Sequence, residues 1–194
     1  MQTKEAILSR RSCRKFQTKD IPKEIIEELI LAGRSAPTAM NMQEIKFYTI
    51  VNNIKKVKEI SAKIMENREK LGKGGSWIEE YKKKYDVEEA IFYEAPCIIC
   101  LVADKGTDER AKTWHSMDAG IACGNILTMA TSLGLGTVPI GIANFLNQEA
   151  VLDGIGADKE KEHLLLVISV GYPVEGYKEK YVHEKPLTSY VKYI

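Results

Sequence analysis

The chain has 194 residues, 44% of them hydrophobic and 28% charged, with a formal net charge of +1. Such a composition suits one soluble domain with a real core, and it leaves no global field to draw the protein to nucleic acid or to an anionic membrane. The N-terminus, Met1-Gln2-Thr3-Lys4-Glu5, lacks the basic-then-apolar pattern of a signal peptide, and the longest apolar stretch, Ala95 to Ala103, is too short to cross a bilayer as a helix, so a cytoplasmic protein is expected.

In chain order, a short amphipathic start (Ala6, Ile7, Leu8) leads into Ser9-Arg10-Arg11-Ser12-Cys13-Arg14. Pro22 followed by Glu24, Ile25, Ile26, Leu29 and Ile30 predicts a helix that ends near Gly33 to Pro37. Ile45 to Val51 reads as a strand, and Asn53 to about Lys70 as a helix. Gly72 to Gly75 is a loop, and Ser76 to Tyr93 is charged and predicted helical, with Lys82-Lys83-Lys84 as a solvated face. Ala95 to Ala103 is a buried strand. Its Cys97 and Cys100 are spaced like a redox or metal pair, but residues three apart on a strand point to opposite faces, so both read as buried apolar side chains. Ser116 to Leu133 is an apolar helix rich in small residues, suited to a buried or intersubunit position. Thr137 to Ile140 and His163 to Val170 are further strands. The tail from Tyr177 carries Tyr181, Val182, Leu187, Tyr190, Val191 and Tyr193, which should dock on something such as a second subunit. With no repeat and no dividing linker, residues 1–194 read as a single α+β domain.

Catalytic templates mostly fail. His115, His163 and His183 are dispersed along the chain, and there is no G-x-S-x-G elbow, Walker loop or H-E-x-x-H. Missing acid–base machinery is expected where a cofactor performs the chemistry. The arginine cluster has two readings: a solvated helix end, where cations favour the carbonyl dipoles, or an anion site, because the guanidinium fork matches phosphate. Asn41 and Gln43 set two amides in the loop after Pro37-Thr38-Ala39, able to bond a heterocycle or simply to line a polar connection. Gly141, after Pro139-Ile140, lets a backbone approach a flat ring or serves turn chemistry. Lys185 supplies a late cation.

Taken together, in this order, these segments resemble the nitroreductase family of FMN-dependent oxidoreductases, from Ala6 to Val191. The resemblance rests on Arg10-Arg11-Ser12-x-Arg14, on Pro37-Thr38-x-x-Asn41-x-Gln43, and on the helix from Asp118 to Gly136 with Gly141 beyond. It implies a central mixed, mainly antiparallel sheet flanked by helices, in an intertwined homodimer with tightly bound FMN at the interface. Arg10, Ser12 and Arg14, with Arg11 beside them, would hold the FMN phosphate and ribityl chain. Asn41 and Gln43 would serve the flavin or ribityl, with Pro37, Thr38 and Ala39 reaching the flavin of the other subunit. Pro139, Ile140 and Gly141 would lie against the ring, and Lys185 would be a late phosphate contact. The implied reaction is ping-pong: NAD(P)H delivers hydride, then a nitroaromatic, quinone, enone or flavin acceptor takes the electrons. The alternative is a non-catalytic FMN storage or sensing protein of the same fold. The sequence departs from the pattern at Glu44-Ile45, where a proline and an aromatic often follow the Gln, at Ile142, where many members have glycine, and at Lys185, which lacks a neighbouring arginine.

Overall fold

The computed structural model describes residues 1–70, 76–106, 109–179 and 185–194. Its organising element is strand β2 (Cys97–Asp104), in which every residue from Cys97 to Ala103 is fully buried. A run of apolar, β-branched residues can be buried on both faces only between two layers, and two layers are what surround it. Strand β2 pairs with β1 (Lys46–Ile50) on one side and with β4 (Glu162–Gly171) on the other, while β3 (Gly136–Ile140) pairs with β4, giving the antiparallel order β1-β2-β4-β3. An isolated parallel bridge from Ser12 to Thr137, with the Cys13 N–H donating to Thr137 O at 2.9 Å, lies at the outer edge of β3; the four strands themselves are all antiparallel, where a mixed sheet was expected.

Helices α2 (Lys23–Arg34) and α5 (Glu109–Ser132) cover one face, where Ile26, Leu29, Ala122 and Ile126 pack with Cys97, Ile99, Leu101 and Ile168. A short α1 (Thr3–Ser9) lies along α5. Helices α3 (Ile54–Met65), α4 (Ser76–Tyr85) and α6 (Ile142–Ile155) cover the other face, with Ile60, Ile64 and Leu146 against Ile98, Cys100, Val102 and Val167. Each such buried aliphatic contributes roughly 1.5–3 kcal/mol of transfer free energy.

Three further expectations are corrected. The helix expected to reach Tyr93 stops at Tyr85, because Asp86 turns left-handed (φ 53°) and Glu89 gathers the next stretch, accepting N–H bonds from Ile91 at 2.8 Å, Phe92 at 3.0 Å and Glu94 at 2.8 Å. Helix α5 begins before Ser116, at Glu109. Helix α6 has no counterpart in the sequence reading: its buried residues Ala143, Leu146, Ala150, Val151 and Leu152 form no single stripe, and it is interrupted at Asn147, whose side chain accepts the Ala150 N–H at 3.1 Å and restarts the helix. The expected loop at Gly72 to Gly75 lies outside the described residues.

Cys97 and Cys100 do point to opposite faces, one into each core. Burial pushes the Cys97 thiol up to about 12 and those of Cys13 and Cys123 to about 11, and it raises Cys100 as well. The thiolate is the reactive form. A native protein treated with a thiol reagent at neutral pH is therefore expected to label negligibly over minutes, whereas the unfolded chain labels all four cysteines; rapid native labelling would contradict the packing of β2.

Candidate functional site

The three arginines of the opening cluster have three different fates. Helix α1 ends as Arg10 leaves helical geometry (ψ 130°). Arg11 folds back, its Nη1 donating to the Leu8 carbonyl at 2.8 Å and the Arg10 carbonyl at 2.7 Å, so it stabilises the end of α1. Arg10 is half-buried near Cys123 of α5, where its charge works against the burial that raises the thiol, and its guanidinium makes no hydrogen bond or ion pair with a described residue. Arg14 turns to the other side of the sheet. Its guanidinium lies 5.7–5.9 Å from the ring centroids of Tyr81, Tyr85 and Tyr93 and 3.6 Å from Glu179, with Nε buried and unpartnered. Tyr177 ties this corner together: its hydroxyl accepts the Arg14 N–H at 3.0 Å and donates to Glu179 at 2.8 Å. Tyr93 is held left-handed (φ 58°), a strained setting for an aromatic residue.

Ser12 lies beside Thr137, whose hydroxyl is buried without a partner. Further along β3, Pro139 is exposed between the buried Val138 and Ile140. Gly141 caps α6 with an ordinary φ of −86°, and a Cβ placed on it would meet no protein atom within 4 Å. Neither conformation nor packing within the chain requires glycine there.

Residues 37–44 form the second group. A 3-10 turn spans Ala39–Asn41, and Met40 (φ 49°), Asn41 (φ 57°) and Gln43 (φ 54°) are left-handed. Asn tolerates this region, but residues such as Met and Gln held there cost on the order of 1–3 kcal/mol each. The Asp118 carboxylate accepts the Ala39 N–H at 3.2 Å, Thr38 Oγ1 accepts the Gln43 N–H at 3.1 Å, and the Gln43 amide donates to Asn41 Oδ1 at 3.1 Å. His115 Nε2 donates to the Glu44 carboxylate at 3.1 Å. A cavity of about 130 Å³ lies beneath the loop, lined by Thr38, Gln43, Phe47 and Asp118 among others.

Within one chain these groups are not brought together. Ser12 is level with the Cys97 end of β2 at one edge of the sheet, and β1 begins at the opposite edge, level with Val102. Strand spacing and rise put those corners roughly 25 Å apart. Lys185 is exposed and makes no hydrogen bond or ion pair with a described residue. The sequence reading missed Tyr177 and Glu179, had Glu44 only as a departure from the family pattern, had His115 only as a residue that could face the flavin, and took the histidines as dispersed. The structure stacks His115 and His163 with ring centroids 5.6 Å apart. The sequence signal on α5 was a polar pair, His115 and Asp118, at helical spacing.

The Nitroreductase family model matches residues 7–172, most of the chain. The chain belongs to the nitroreductase family. A curated relative, the iodotyrosine dehalogenase 1 homolog of Caenorhabditis elegans, is 26% identical over 97% of this chain and 60% of its own length. The FMN reductase [NAD(P)H] of Bacillus subtilis is 28% identical over 76% of this chain and 57% of its own. The chain thus spans about three-fifths of each. Among solved structures, a nitroreductase with bound FMN from Bacteroides fragilis is 25% identical with a TM-score of 0.76, covering 95% of this chain and 96% of that one. The nitroreductase fold of this family member follows from both comparisons. No described helix is long and apolar enough to cross a membrane.

Burial, followed by the charges of His115 and Lys105, holds His163 below the ordinary histidine value of 6.5. The folded state therefore binds that proton less readily than the unfolded state, and stability is lost as pH falls through the unfolded value. The melting temperature is expected to drop between pH 7 and pH 5 (about the histidine range), and His163→Gln should make that drop shallower. An equally steep drop in the variant would refute the assignment.

Proposed function

We propose that this chain is an FMN-dependent oxidoreductase that passes hydride from NAD(P)H to a small oxidised acceptor by a ping-pong mechanism, working as a homodimer. The observation that carries this reading is Arg10: a half-buried arginine two residues before Ser12, which bridges to Thr137 with its unpartnered hydroxyl, and with no counter-ion among the described residues. Arginine in such a setting suits a phosphate. The open backbone at Gly141 and the exposed Pro139 fit a flat ring next to that anion site. The residues present therefore fit FMN.

Bound FMN would supply the redox chemistry, which explains why the protein carries so few acids and bases at this edge. Arg10 and Ser12 would hold the phosphate, and fixed backbone N–H groups around Gly141 would stabilise negative charge on the ring system. Arg14, already committed to Glu179 and the tyrosines, would reach the ribityl or ring side instead of the phosphate.

Two observations support the dimer. The outer face of α5 exposes Met117 and Ile121, and its Gly120 and Gly124 have open space in front of them. The loop bearing Asn41 and Gln43 stands at the far corner of its own chain, where it would serve a partner's flavin. The exposed Tyr190, Val191 and Tyr193 of the tail would be covered by the same partner; Tyr181 and Val182 lie outside the described residues. Acceptors of the proposed class are nitroaromatics, quinones, enones and free flavin, and the nematode relative's name adds halogenated aromatics to those worth testing.

The purified protein is expected to be yellow, with one FMN per subunit, and to lose its flavin colour anaerobically on addition of NADH or NADPH; a quinone or nitroaromatic should restore it. Flavin that stays oxidised for minutes with both nucleotides would reject the reductase reading in favour of flavin storage or sensing. A charge-assisted contact is worth roughly 1.5–3 kcal/mol, so Arg10→Ala should weaken FMN by about ten- to a hundredfold while leaving riboflavin unchanged. Arg14→Ala should weaken both alike. Equal wild-type affinity for riboflavin and FMN would remove the phosphate site. Gly141→Val should lose flavin while its far-UV circular dichroism stays native, and normal FMN binding by the folded variant would displace the ring from this loop.

A further inference from the structure

Besides the bonds within the loop, the left-handed turns at Met40, Asn41 and Gln43 are flanked by two holds, and both come from α5. Asp118 binds the loop's entry through the Ala39 N–H, and His115 binds its exit through the Glu44 carboxylate. The two residues are three apart on the helix, so their side chains share a face. Both are nearly inaccessible, His115 at 3% and Asp118 at 6% exposure. Polar groups buried to this degree are unfavourable unless bonded, and two apolar side chains would have filled the same space without that penalty. Neither polar group is used within the core; each is directed at one end of the loop. His163 packs against the His115 ring at an interplanar angle of 33° and fixes its plane.

We propose that His115 and Asp118 are positioning residues, a buried clamp that fixes residues 39–44 so that the Asn41 and Gln43 amides are presented in one arrangement, and that this arrangement sets the affinity for flavin. This rests on the reading of the chain as a flavoprotein. The clamp also accounts for Glu44 at a position where the family pattern often has proline: a proline there has no carboxylate to offer a buried imidazole.

The test uses the full-length chain and two readouts, amide hydrogen exchange at residues 39–44 in flavin-free protein and titration with FMN. Glu44→Ala removes the exposed half of the clamp without touching the core, so it should fold. It should raise exchange across the loop and weaken FMN by about tenfold, the factor that about 1.4 kcal/mol represents. His115→Ala should do the same. In His115→Gln the side-chain amide can still donate to Glu44, so exchange and affinity should return to within about threefold of wild type. Unchanged exchange in folded Glu44→Ala and His115→Ala would overturn the clamp. Faster exchange with unaltered FMN affinity would overturn its link to flavin. If the wild type binds no FMN, the flavoprotein reading fails, and the exchange data still decide whether the clamp exists.

Discussion

The double-sided burial of β2 is the constraint on which the remaining arrangement depends. Cys97, Ile99 and Leu101 face α2 and α5, while Ile98, Cys100 and Val102 face α3, α4 and α6. Slipping the register by one residue would exchange these two sets, so pairing with β1 and β4 is strongly specified. Because both neighbours are fixed against this strand, so are the places where the chain leaves the sheet. The arginine segment is pinned beside β3 at one edge, and the Asn41–Gln43 loop enters β1 at the other. The hydrophobic pattern of eight residues thereby separates the two halves of the candidate site within one chain.

Electrostatics in this protein are local. With a net charge of +1 there is no strong global field, and the three clustered arginines meet three environments within five residues of chain. Arg11 satisfies helix-end carbonyls, and Arg14 shares a carboxylate and a ring of phenols. The Arg10 guanidinium has no hydrogen bond or ion pair with a described residue. Guanidinium groups that look equivalent in sequence are sorted by where the backbone turns between them: out of the helix at Arg10, and along β3 at Ser12.

The sequence was most legible where one physical signal dominates. The uninterrupted apolar run of β2, the three-and-four spacing and proline start of α2, and the small-residue pattern of α5 each lead to the observed element. The opposed cysteines follow from strand periodicity alone. Helix α6 was illegible because it is buried on several sides and broken at Asn147, so no amphipathic stripe marks it. The end of α4 was illegible because a side chain thirteen residues beyond its start, Glu89, organises the following loop. At the site, the residue order identified the family, but spacing could not show that Arg11 folds back or that Arg14 enters a tyrosine cage. It also could not show that His115 and His163, 48 residues apart in sequence, stack on each other. Those outcomes depend on rotamers and on contacts across the sheet, which no local window contains.

The chain's two tryptophans fall on opposite sides of this layout. Trp77 opens a ladder of edge-to-face rings through Tyr81 and Tyr85 to Tyr93, with centroid spacings of 5.4, 5.5 and 5.8 Å, ending at the Arg14 guanidinium. Trp114 immediately precedes His115 on α5. Intrinsic fluorescence of the folded chain is therefore the sum of two spatially separate emitters, one coupled to the tyrosine cage and one beside the buried imidazole. Replacing either indole by phenylalanine leaves a single-colour optical probe of the other half of the molecule.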